Sequence, residues 1–164
     1  MGPNIQTQGA NSKFIISTTL KPKISDSARI LILHEDDLIA ERLNNVLREA
    51  GYISERAKNI TAGCESARSG RFQVVISAPV LADGTWRRLV DIANYYNLGF
   101  VVLVVASSFD FNQSAETIEN GAFDVLDVYH ELPKVAEVTK RALWAACLKG
   151  AGPSPEVASP PKAA

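Results

Sequence analysis

Three continuous apolar runs constrain this chain most: Ile30 to Leu33, Val74 to Ile76 and Phe100 to Ala106. Short runs rich in β-branched residues, with no polar alternation, suit strands buried on both faces. Such strands need helices above and below them, and the intervening segments have helical periodicity. Ile39, Leu43, Val46, Leu47 and Ala50 share one face of a helix that starts near Leu38 and meets its C-cap at Gly51. Thr61–Ser69 reads as a short helix closed by Gly70. Thr85–Tyr96 turns Trp86, Leu89, Val90 and Ala93 inward. Phe111–Asn120 does the same with Ala115 and Ile118 and is capped by Gly121. Tyr52–Ala57, with Ser54, Glu55 and Arg56, suits an edge strand, and Phe123–Val128 a fifth strand. Pro133 sits in the first turn of a last helix that runs to about Lys149, with Val135, Ala136, Thr139, Ala142, Leu143 and Ala146 inward. Strands alternating with helices predict an α/β fold: a doubly wound, five-stranded parallel sheet with right-handed crossovers.

That pattern occupies residues 29–149. Residues 1–28 are rich in Gly, Asn, Gln, Ser, Thr and Lys, with Phe14-Ile15-Ile16 as their apolar cluster, and read as a disordered tail. Residues 150–164 read as a second, Pro-rich tail. Lys and Arg number 17 against 18 Asp and Glu, a balance that argues against broad nucleic-acid or membrane binding. The longest apolar run is too short to cross a bilayer, and the N-terminus lacks the pattern of a secretory signal. Cys64 and Cys147 match no zinc or redox spacing, so two free thiols in a cytoplasmic protein are expected. The turn HEDDLIAE after the first strand has no glycine, which argues against a Rossmann-type nucleotide enzyme.

Chemistry in parallel α/β proteins sits at the carboxyl ends of the strands. Three motifs follow in order along the chain: ILILHEDD on the first strand, a strand–loop unit ending at Asp83-Gly84, and ENGAFDVL, whose Gly-Ala pair closes the fourth helix and precedes the fifth strand. Together they resemble the receiver domain of two-component response regulators, a CheY-like, flavodoxin-like fold with strand order 2-1-3-4-5. The resemblance covers about Arg29–Lys149. It implies an aspartate after strand three that takes up a phosphoryl group and an acidic pair after strand one that holds Mg²⁺. It also implies a hydroxyl ending strand four and a lysine ending strand five.

Placed on this sequence, the acceptor falls on Ala78, the acidic pair on His34-Glu35, the hydroxyl on Ala106 and the lysine on Val128. A methyl group is no nucleophile. Neighbouring registers at the acceptor offer only Ser77 or Pro79, and no lysine lies between Phe123 and Pro133. The expected protein is therefore a degenerate, stand-alone receiver in phosphorelay signalling. It works without phosphorylation, enzymatic activity or cofactor, through association with a histidine kinase, another regulator or itself. Trp144 and Leu148, on the outer side of the last helix, are candidate partner contacts.

Alternatives remain open at this stage. Asp83, with Glu35, is a candidate displaced acceptor, although a role capping the third helix or closing the Asp-Gly turn also suits it. Glu35 and Asp36 are candidate Mg²⁺ ligands, set against a solvated acidic helix start. His34, His130 and Glu35 form a candidate zinc-type set in a metal- or small-molecule-binding flavodoxin-like protein.

Overall fold

The computed structural model describes residues 28–107 and 111–149. Residues 1–27 and 150–164 of the two expected tails lie outside the described residues, while Ala28, assigned to the first, is described and buried in the core. In chain order the elements are β1 (Arg29–Leu33), α1 (Asp37–Glu49), β2 (Ile53–Ala57), α2 (Ile60–Ala67) and β3 (Val74–Ser77). There follow β4 (Val80–Leu81), β5 (Gly84–Thr85), α3 (Arg87–Tyr95), β6 (Val101–Ala106), α4 (Phe111–Glu119), β7 (Asp124–Asp127) and α5 (Val135–Leu148). A 3₁₀ turn, Leu132–Lys134, carries Pro133 and leads into α5.

The main sheet is parallel and runs β2-β1-β3-β6-β7. The expected order, 2-1-3-4-5, is corrected by two short strands. β4 and β5 pair antiparallel in a separate hairpin, Val80 with Thr85 and Leu81 with Gly84, which moves the last two sheet strands to sixth and seventh place. Two-residue strands leave no alternation for a sequence reading to detect.

Side chains of the apolar strands divide between two cores. Ile30, Ile32, Val74, Ile76, Leu103 and Val105 pack with Leu43 and Leu47 of α1 and Val138 and Leu143 of α5. Leu31, Leu33, Val75, Val102 and Val104 face the opposite way, onto Ile60 and Cys64 of α2 and Trp86 and Leu89 beside and in α3. Both faces are covered, as the unbroken apolar runs require. Cys64 and Cys147 are buried and free.

Two glycines mark close approaches. Gly63, inside α2, lies over β1, and a Cβ there would fall on the Leu33 side chain, 2.7 Å from its Cγ. Gly121, before β7, has φ +115°, and a Cβ would meet Val90 at 2.8 Å. Its conformation suits a residue without a side chain, which explains the Gly-Ala pair of the sequence motif. Two inward assignments are corrected. Ala50, at the end of α1, is exposed. Among the described side chains of α4, Thr117 is the buried one, while Ile118 is 45% exposed. The helix packs against the sheet edge, so a narrower strip of it is covered than the periodicity implies.

Candidate functional site

Successive strands step from β1 out to β2, then back across to β3, so the switch point of this sheet lies between β1 and β3. In open α/β sheets the crevice at the carboxyl ends of such a pair is the usual ligand site. Ala78 stands at its centre. It directly follows β3, its N–H donates to the Leu33 carbonyl at 3.0 Å, and its methyl is buried in the α2–α3 core. Ser77 is fully buried, with its hydroxyl donating to the Ala78 carbonyl at 2.7 Å. Ala106 ends β6, its carbonyl accepting from Val128 N at 2.8 Å. Val128 is buried in the α1–α5 core. Apolar side chains occupy all three positions.

The charged residues around the crevice are committed to neighbouring loops. Glu35 reaches across the switch point, and its Oε2 accepts a hydrogen bond from the Ala82 N–H in the β4–β5 turn. Asp36 caps α1, accepting from Leu38 N at 2.9 Å and Ile39 N at 3.2 Å. Asp37 pairs with Arg56 at 2.6 Å and Lys58 at 3.6 Å. Arg56, from the edge strand β2, also donates to the carbonyls of His34 at 2.8 Å and Glu35 at 3.1 Å. Its planar fork spans several acceptors at once.

Asp83 closes this chain of contacts. Its two oxygens accept from Ile60 N at 2.7 Å and Thr61 N at 2.9 Å. The expected cap on the third helix is thus corrected: Asp83 caps α2. The hairpin turn carries it over the first turn of α2, where unpaired N–H groups point outward. Trp86, at the start of α3, has no side-chain cap. The hydrogen bonds from Thr61 and Ile60 lower the Asp83 pKa to about 2. In the unfolded chain the carboxyl returns to about 3.9. Its contribution to stability is therefore complete above pH ~4 and is lost as the pH falls toward 2. Thermal melts at pH 5 and pH 2.5 should show a larger fall in Tm for the native chain than for Asp83→Asn, which has no charge to titrate.

His34 accepts a hydrogen bond at Nδ1 from Asp36 N, 3.1 Å away. Burial lowers its pKa, against an opposing effect of Asp36. His130 is separately engaged: its Nδ1 lies 2.9 Å from Asp127 Oδ2 on an exposed turn. Among the described residues, no three His, Cys, Asp or Glu side chains are gathered to hold a metal. The zinc-type grouping of His34, His130 and Glu35 is not assembled. The residues present do not fit Mg²⁺ either, because Glu35 and Asp36 are bound to backbone N–H groups and the β3 position carries a methyl.

A cleft of about 540 Å³ opens on the other side of β3. Val80, Thr85 and Trp86 form its hairpin wall, Ala106 its floor, and Glu116 and Thr117 its α4 wall. Val80 is 68% exposed there. No sequence motif announced this cleft, because its walls come from elements that meet only in the fold. Of the candidate partner pair, Leu148 is 83% exposed while Trp144 is half-buried.

No protein-family model and no curated protein matches the chain. Solved structures do match. The signal receiver domain of a Luxo repressor protein from Vibrio parahaemolyticus superposes with a TM-score of 0.68 at 16% identity, over 74% of this chain and 94% of that one. The receiver domain of the response regulator NarL from Mycobacterium tuberculosis gives 0.66 at 12% identity, over 73% and 98%. The beryllofluoride-activated NtrC4 receiver domain, solved as a dimer, gives 0.59 at 20%, over 70% and 98%. At these identities the likeness establishes the receiver fold, and function has to be argued from the site.

Proposed function

We propose that this protein is a receiver-fold signalling module that takes up no phosphoryl group and acts by binding other proteins. The observation that carries the reading is the end of β3, where Ala78, to which the resemblance assigns the acceptor position, packs its methyl into the core. Ala106 and Val128 extend the same loss to the hydroxyl and lysine positions. The nearby carboxylates support it as well, since Glu35, Asp36 and Asp83 all accept backbone hydrogen bonds that hold loops and helix starts. A non-enzymatic reading is supported by the same commitments, since the imidazole of His34 also accepts a backbone hydrogen bond, from Asp36 N. A cytoplasmic setting suits the two free thiols.

Incubation of the full chain with acetyl phosphate and Mg²⁺ should leave its intact mass unchanged. A stable adduct of one phosphate overturns the proposal. If Asp83→Asn abolishes that adduct, the atypical receiver using Asp83 and Glu35 takes its place. Partners in this reading are a histidine kinase, another regulator or a second copy, and the outer side of α5 with Trp144 and Leu148 is the candidate contact.

A further inference from the structure

The cleft between the β4–β5 hairpin and α4 lies beside the vacated crevice but is separate from the hydrogen bonds that fill it. Its position follows from those bonds. Glu35 and Asp83 draw the hairpin turn toward β1 and α2, leaving the opposite side of the hairpin facing α4 across open space. The walls combine an exposed Val80, the Trp86 ring and Thr117 with one acid, Glu116, and one base, Arg87, whose guanidinium lies 6.0 Å over Trp86. From Phe111 to Glu131 the chain carries Glu116, Glu119, Asp124, Asp127 and Glu131 and no lysine or arginine. An occupant suited to this surface is a short segment with apolar side chains and flanking positive charge.

We infer that the occupant is the chain's own segment Lys13–Ile16, docked within the same molecule. Phe14-Ile15-Ile16 supplies the apolar side chains. Residues 1–27 carry Lys13, Lys21 and Lys23 against the single acid Asp26, opposite in sign to α4 and β7. Reach is sufficient. The described chain begins at Ala28, at the amino end of β1, and residues 17–28 can span about 40 Å when extended. The cleft lies the length of one strand away, about 17 Å, and two strands across, about 10 Å. Such a tether holds the segment at roughly millimolar effective concentration, so weak docking is enough to occupy the cleft. The other terminus is less suited: residues 150–164 contain no aromatic residue and a single β-branched one, Val157.

The test is NMR of the full chain against the double variant Phe14→Asp/Ile15→Asp. Docking predicts NOEs from the Phe14 ring to the Val80 or Thr117 methyl groups. It also predicts shift changes confined to Val80, Thr85, the Trp86 indole, Ala106 and Thr117 in the double variant. Val80→Lys, at an already exposed position, should abolish the same NOEs from the cleft side. Identical cleft shifts in the full chain and the double variant overturn the inference. So do NOEs to the cleft from residues 150–164, or cleft shifts that vary with protein concentration, which would mark docking between copies.

Discussion

Ala78→Asp is expected to destabilise the protein by about 2–4 kcal/mol and still yield no phosphoryl adduct with acetyl phosphate and Mg²⁺. The residue is 7% exposed, with the α2–α3 core around its methyl. A carboxylate there exchanges water for apolar neighbours and stands at the same crevice as Glu35, with no lysine to offset it. On the proposed reading, an aspartate there supplies a nucleophile and still leaves the rest of the chemistry missing. Val128 offers no cation to the phosphoryl oxygens, Ala106 no hydroxyl, and Glu35 is held by Ala82 N. Denaturant melts and intact mass read the two effects separately. An adduct on Ala78→Asp would show that one substitution alone disables this crevice, and the wider loss of the pocket would fall with it.

Gly63→Val should cost about 3 kcal/mol or more, and Gly63→Ala a smaller amount in the same direction. In an ordinary helix interior, glycine to alanine gains about 1 kcal/mol of helix propensity. Here the new Cβ falls on the Leu33 side chain, which is fully buried at the end of β1. Leu33 cannot move outward, so α2 must lift from the sheet. That displacement also strains the Asp83 cap on Ile60 and Thr61. A double-mutant cycle isolates the cause: Leu33→Ala should cost less in the Gly63→Ala background than in the native chain. Strict additivity of the two would place the effect of Gly63 elsewhere.

Much of the fold is legible in local pattern. The apolar runs become β1, β3 and β6, and the 3.6-residue spacing of Ile39, Leu43 and Leu47 becomes the buried face of α1. Gly51, Gly70 and Gly121 end their helices with positive φ, as expected of glycines at those positions. Ile118 shows the limit of periodicity. Pattern gives a helix an apolar face, but the neighbours decide how wide a strip of it is covered.

At the site, the sequence by itself determined the proposed loss: if positions 78, 106 and 128 are those the receiver resemblance assigns, alanine and valine there supply no nucleophile, hydroxyl or cation in any conformation. It did not determine what the remaining polar groups do. Glu35 bonds a residue 47 positions away, Asp83 one 23 positions away and Arg56 one 22 positions away. A carboxylate or guanidinium accepts many partners equally well, so its choice depends on which backbone groups the fold leaves unpaired within reach. The tertiary structure alone decided that these groups tie loops together, and that the open space at this edge lies between the hairpin and α4.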